Sequence, residues 1–423
     1  MTGPAWLEGR TLWFPQMSWG GTVALAAAFR SAGIDARVCP DSTPRTLDLA
    51  ARHTSGEECL PARVTLGNLL EVLEQPRAEP ARTAFFMPTG DGPCRFGMYA
   101  DHLRTVLRRL GAGEVEVFSL SSTDGYRGAW VTALRRCALH AVLCGDLLRK
   151  MLLAARPYEL ARGGADAAHA AAIAEVAGVL ERPGQTAAAR LARLEDALVA
   201  ARDRFRSVPA RYERGRPYIG VLGEIFCRLT PFTNEDVVRR IEQLGGECAL
   251  AHAAEWVWYS EAGHRARLRR DGGRWSAAML GAWISGLVQH RDEHRLARHF
   301  AEDVRGAEEP PLDDILRGSA PYLPHTGALG EMTLSVGKAV AYHAQGCDGV
   351  LDISPFGCMN GIVTEAVYPR VSADHDGIPI RNLFFDGGRS DLDRDLTLFM
   401  ELARSYQARK TRHREYPARF PPA

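Results

Sequence analysis

The amino-acid sequence predicts an α/β protein: two parallel-sheet domains with a helical segment inserted between them. Three observations carry that expectation. The first 127 residues alternate short apolar runs with amphipathic stretches of helical length. An Ala-rich helical pattern follows. The alternation then resumes at GRPYIGVLGEI and continues to a terminal helix. Strand and helix taken in turn is the pattern of a parallel sheet covered by crossover helices. The expected boundaries are an N-terminal α/β domain over 1–127, a helical insertion over 128–212 and a C-terminal α/β domain over 213–423.

In the first segment, TLWFPQ is a short apolar run, GTVALAAAFRSAG is a helix stopped at Gly33, and IDARVCP is a second strand. A helix in VTLGNLLEVLE, a strand in ARTAFFMPT, a helix in YADHLRTVLRRLG and a strand in EVEVFSL complete that layer. From Trp130 to Arg206 the pattern is helical throughout. GRPYIGVLGEI restores the strand-then-turn signature, VVRRIEQLGG supplies a crossover helix and ECALAHA a second strand. A helical stretch around GRWSAAMLGAWISGLVQHRDEHRLARHFAEDV interrupts this layer. It resumes at LSVGKAVAYHAQGCDGVLDISPFGC and finishes with the strand IPIRNLFFD and a last helix. Both layers read as Rossmann-like, with a site expected in the cleft between them. The basic, Pro-rich tail HREYPARFPPA is expected to be a loose end.

With 423 residues the chain has enough material for each domain to bury its own core, so folding does not require a metal. Its 52 Lys+Arg and 51 Asp+Glu nearly cancel, which argues against a nucleic-acid or anionic-membrane partner. The start MTGPAWLEGR lacks a basic region followed by an apolar stretch, and no run reaches the roughly 18 apolar residues of a membrane span. A cytoplasmic location is expected. Nine cysteines in such a chain are then free thiols, some of them candidate ligands and most of them core.

Three cysteines share one setting. Cys59 in HTSGEECLPARVTLGN precedes a helix, with Pro61 in its first turn; Cys94 in FFMPTGDGPCRFGMY follows an apolar strand; Cys358 in GVLDISPFGCMNGIV follows another. Loops at strand ends are where α/β folds place ligand sites. A thiolate at a helix N-terminus is stabilised by the N–H groups and the positive end of the dipole, which makes it a better metal ligand. The chain has no C-x-x-C pair, so the zinc-ribbon and ferredoxin spacings do not apply, and an isolated Cys is more often a small buried hydrophobe. That second reading is preferred for Cys39, Cys137, Cys144, Cys227, Cys248 and Cys347.

Other residues are weighed more lightly. Glu58, before Cys59, is a catalytic proton donor if burial raises its pKa, with helix N-terminal charge stabilisation as the equal rival. Arg95, beside Cys94, suits the charge of a bound group or a substrate carboxylate, with a surface salt bridge as the equal rival. Glu224, after Gly223 at a strand end, suits a place in the cleft. Lys338 in LSVGKAV is a candidate partner for an anionic substrate, but its lone G-K lacks the spacing of a nucleotide-binding loop, and no nucleotide site is expected. Trp256, Trp258 and Tyr259 form either a substrate wall or, by default, packing.

At FPQMSWGGTVALAAAFRSAG, GEECLPARVTLGNLLE, MPTGDGPCRFGMY, RPYIGVLGEIF, LSVGKAV and DGVLDISPFGCMNG followed by IPIRNLFFDG, the chain resembles the 2-hydroxyacyl-CoA dehydratase and benzoyl-CoA reductase superfamily. Within it, the resemblance is to the activase-related branch that includes the double-cubane cluster proteins. These stretches cover most of both α/β segments, and the helical middle matches weakly. Asn360, where Pro commonly follows the Cys-Met pair, and Met98, where Gln is frequent, depart from the family pattern. The resemblance implies that Cys59, Cys94 and Cys358 ligate a [4Fe–4S] cluster, or one half of a double-cubane [8Fe–9S] cluster shared with a second copy or a paralogue. It implies a partner, an ATP-hydrolysing activase with its own iron–sulfur cluster. It also implies a reductase or dehydratase component acting on a small substrate, such as a CoA thioester. The competing readings are a non-catalytic electron-relay subunit and a structural zinc protein.

Overall fold

A computed structural model describes residues 5–76, 78–122, 132–272, 276–324, 330–388 and 390–421. The expected boundary at 127/128 lies outside them. The first sheet is built from β1 (Thr11–Phe14), α1 (Trp19–Arg30), β2 (Asp35–Val38), α2 (Pro44–Ala51), α3 (Leu60–Leu73), β3 (Thr83–Phe86), α4 (Tyr99–Arg109) and β4 (Glu116–Phe118). All its strands pair in parallel, in the order β2-β1-β3-β4. Three long helices follow: α5 (Thr132–Ala155), α6 (Gly164–Glu181) and α7 (Ala187–Arg206).

The second sheet repeats the arrangement of the first. It comprises β5 (Tyr218–Gly223), α8 (Ile225–Leu229), α9 (Val237–Gln243), β6 (Glu247–Leu250), α10 (Ala254–Gly272), α11 (Ala277–Ala297), α12 (Leu312–Ser319), α13 (Met332–Ala344), β7 (Gly349–Pro355), α14 (Met359–Asp374), β8 (Ile380–Phe385) and α15 (Leu392–Arg409). Its order is β6-β5-β7-β8, again all parallel. The central strands β5 and β7 are buried along their whole length, as strands covered on both faces must be, and their residues are nearly all apolar or small.

The inserted helices pack on α1, whose Ala24, Ala27 and Ala28 share a core with Leu148, Ile173, Leu194 and Leu198. The same core takes in Trp258 and Leu296 of the second sheet's helices, so the insertion touches both α/β halves. A second junction joins the two sheets' elements directly. Leu47 and Leu60, on α2 and α3, are buried with Ile353, Leu383 and Phe385 of the second sheet. Arg63 reaches across to donate to the Asp386 carbonyl at 2.9 Å.

The tail is the clearest departure from expectation. Arg414 is buried and pairs with both carboxylate oxygens of Glu247 at 2.6 and 2.7 Å, Tyr158 donates to the same carboxylate at 2.6 Å, and Phe420 is buried among Tyr158, Tyr212 and Tyr416. A basic, Pro-rich composition looks like loose chain only while its buried acidic partner, far away in sequence, is unknown. Arg414→Ala is expected to lower stability by about 3–5 kcal/mol, because it strands the buried Glu247 charge, with the loss read as a shift of the urea midpoint.

Candidate functional site

Each of the three singled-out cysteines is the N-cap of a helical segment. Cys59 precedes α3, Cys94 precedes the 3-10 turn Arg95–Met98 that leads into α4, and Cys358 precedes α14. Cys94 and Cys358 do follow strands, but Cys59 does not. It is presented by the connection between α2 and α3, inside the crossover from β2 to β3. Extended backbone at each N-cap (ψ of 154°, 131° and 123°) turns the thiol toward N–H groups of the following turn. These are Ala62 for Cys59, Phe96 for Cys94, and Gly361 with Asn360 for Cys358. Gly357 (φ +70°) makes the left-handed step that delivers Cys358.

Exposure separates these three from the other six. Cys59, Cys94 and Cys358 are partly exposed; Cys39, Cys137, Cys144, Cys227, Cys248 and Cys347 are buried, as expected for core thiols. Burial nevertheless pushes all three site thiols up, Cys94 to about 11 and Cys358 to about 12, and the charges of Glu224 and Glu331 push in the same direction. For Cys59 burial also dominates, opposed by the Tyr99 hydroxyl at 2.6 Å, the Ala62 N–H and the charge of Arg95. As free groups they are therefore protonated at neutral pH. A cationic metal group would displace those protons on binding.

The thiols converge from both halves of the chain. Cys59 lies close enough to Cys94 to oppose its ionisation, and Cys59 and Cys358 both lie close enough to oppose that of the buried Cys227. Arg95 donates to the Glu57 carbonyl, tying the Cys94 turn to the Cys59 loop. The Ser18 N–H donates to the Leu229 carbonyl at 3.0 Å, a further link between the halves.

Two carboxylates face the same space. Gly223 (φ +112°) ends β5, and a Cβ there would come within 2.2 Å of the Ile353 carbonyl oxygen, so only glycine allows the turn that presents Glu224. The Glu224 oxygens accept from the N–H groups of Phe226 at 3.1 Å and Cys227 at 2.7 Å. Glu331, the N-cap of α13, is 5 % exposed; its Oε2 accepts from the Ile225 N–H at 3.1 Å. Its Oε1 is buried with no hydrogen-bond partner among the described residues, 3.8 Å from Arg228. Burial and the neighbouring Glu224 charge hold Glu331 well above the usual carboxyl range, so it keeps its proton where an ordinary glutamate has lost it.

Other expected residues fare differently. Burial does not raise Glu58. Its carboxylate accepts from Ser55 and from the Gly56 N–H, and these bonds outweigh desolvation and hold it below the usual range. The raised pKa that a proton donor needs is therefore not found for Glu58, and its carboxylate instead closes the turn that precedes α3. Lys338 does not face the site as a free cation. It is 1 % exposed within α13 and paired with Glu255 and Glu309. Trp258 packs in the helical core and donates to Glu293 at 3.1 Å, which is the default reading. Sequence reasoning missed Tyr99 and Glu331. Tyr99 stood inside the quoted GPCRFGMY stretch, but nothing local points it at Cys59; Glu331 is a lone acid beside a glycine.

Among the described residues, no three His, Cys, Asp or Glu side chains are gathered around a point where one metal ion would sit. A tetrahedral zinc site places its sulfur donors about 3.8 Å apart, from Zn–S bonds near 2.3 Å. The three partly exposed thiols sit on separate helical N-termini, each beside backbone N–H donors, and thiolates with such donors are the ligand chemistry of iron–sulfur groups. No described helix is long and apolar enough to cross a membrane. No protein-family model and no curated protein matches this chain.

Proposed function

We propose that Cys59, Cys94 and Cys358 hold a [4Fe–4S] cluster, or half of a shared [8Fe–9S] double cubane. On this reading the chain is a cytoplasmic reductase or dehydratase component supplied with electrons by an ATP-hydrolysing activase. The observation that carries the reading is the partition of the nine thiols: the three at helical N-termini are partly exposed, and the six others are buried. When bound, such a cluster supplies one-electron reduction and an iron without a protein ligand, open to a substrate atom.

The chain's own residues supply the rest. The N–H groups of Ala62, Phe96, Asn360 and Gly361 stabilise thiolate charge. Glu331 holds a proton beside the thiols, and Arg228 offsets the charge of the Glu224–Glu331 pair. Met98, Phe356 and Ile362, at 62, 71 and 54 % exposed, lie within four residues of Cys94 or Cys358 in sequence and give the neighbourhood an apolar surface. A covering activase or second copy would exclude water there. Glu331, buried beside the thiols with an unpartnered oxygen and held above the usual carboxyl range, is the kind of group acid-base chemistry uses, which supports the catalytic reading over an electron relay.

Anaerobic purification of the full chain, followed by iron and sulfide analysis, tests the reading. Iron and sulfide in the ratio of a [4Fe–4S] cluster, with broad brown absorbance, are expected. Stoichiometric zinc with no sulfide would overturn it. Substrate-dependent turnover with an activase and ATP then separates enzyme from relay.

A further inference from the structure

Tyr99 is the first residue of α4 and directly follows the turn that Cys94 begins. Its ring is held edge-on by Phe96, with centroids 5.6 Å apart at 84°. Its hydroxyl lies 2.6 Å from Cys59 Sγ. The residue is thus anchored by one thiol's turn and bonded to another thiol. Among the described residues, no other side chain hydrogen-bonds to any of the three sulfurs; Cys94 and Cys358 rely on backbone N–H groups alone.

The direction of that bond follows from ligand chemistry. A thiolate that holds a metal group carries no proton, so the Tyr99 hydroxyl, within hydrogen-bond distance of it, is the donor. A donor aimed at a thiolate stabilises the more negative state of whatever the thiolate holds, since a hydrogen bond strengthens with the charge on its acceptor. The three ligands are therefore unequal, and the inequality is built by one oxygen atom.

Resting on the cluster reading above, we infer that Tyr99 is a positioning residue of the three-thiol site: its O–H, donated to Cys59 Sγ, orients that ligand and raises the reduction potential of the group the thiolates hold. No residue of the chain is oxidised or reduced in this role. One electron enters from an external donor, and the Tyr99 proton stays on Tyr99 throughout.

The experiment compares wild-type full chain, Tyr99→Phe, and protein carrying 3-fluorotyrosine at position 99, each loaded anaerobically and titrated by EPR-monitored reduction. Phenylalanine keeps the ring and removes the donor. About a tenfold shift of the reduction equilibrium toward the oxidised form is expected, which is about 59 mV more negative for one electron. The fluorinated ring is a stronger donor of nearly the same shape, so its potential is expected to move the opposite way. A folded Tyr99→Phe chain that loses iron while the fluorotyrosine protein keeps it also supports the role. Loaded variants with wild-type potentials overturn the inference and leave the cluster reading standing. A wild-type chain that takes up no iron overturns both.

Discussion

Cys94→Ala is expected to empty the site of iron while leaving the fold intact. The side chain is partly exposed, it caps only a four-residue 3-10 turn, and its polar contact is with the Phe96 backbone N–H. Its truncation therefore carries the small stability cost of a surface-proximal substitution, about 1 kcal/mol or less. Ligation has no such tolerance, because removing one of three thiolates leaves two on different domains. Iron per chain should fall to background, along with the brown absorbance and any activase-dependent turnover, while the urea midpoint stays close to wild type. Cys227→Ala is the control, since Cys227 is a buried neighbour of the same space and should retain iron. Unchanged iron in Cys94→Ala would remove the foundation of the proposed function.

Glu331→Gln is expected to lower activase-dependent turnover by about 10²–10⁴-fold, the usual contribution of a positioned acid or base, with iron content unchanged. Glutamine retains an oxygen to accept the Ile225 N–H and nearly the same volume, but it cannot give up a proton. The pH dependence has a definite sign. The folded-state pKa of Glu331 is raised by burial and by Glu224, so the protonated form persists above the ordinary carboxyl range and is lost on the alkaline side. An acid role thus predicts activity that falls as pH rises, and that alkaline limb should vanish in Glu331→Gln. An iron-loaded variant with undiminished turnover would assign the proton elsewhere.

Features that depend on neighbours in the chain were legible in the sequence, and features that depend on distant partners were not. Strand runs such as TLWF and YIGVLG and the Gly-Pro-Cys and Pro-Phe-Gly-Cys turns are local patterns, and both parallel sheets and two of the three N-cap thiols, Cys94 and Cys358, follow from them. Lys338 was misread because its burial is set by Glu255 and Glu309, 83 and 29 residues away. Arg414 was misread because Glu247 is 167 residues away. The Glu58 carboxylate lacks the raised pKa of a proton donor through a turn that its sequence did contain, in Ser55 and Gly56, but whose hydrogen bonds act against burial. Repetition of one strand order in both sheets has no periodic signature at all.

The separation of the three thiols also has a consequence in time. Cys94 and Cys358 are 264 residues apart. At a synthesis rate of roughly 5–20 residues per second, the first two thiols leave the ribosome on the order of tens of seconds before the third. The strap from Arg63 to the Asp386 carbonyl forms later still. On the proposed function, loading of the site has to wait for Cys358, and during that interval Cys59 and Cys94 are nascent-chain thiols without their third partner.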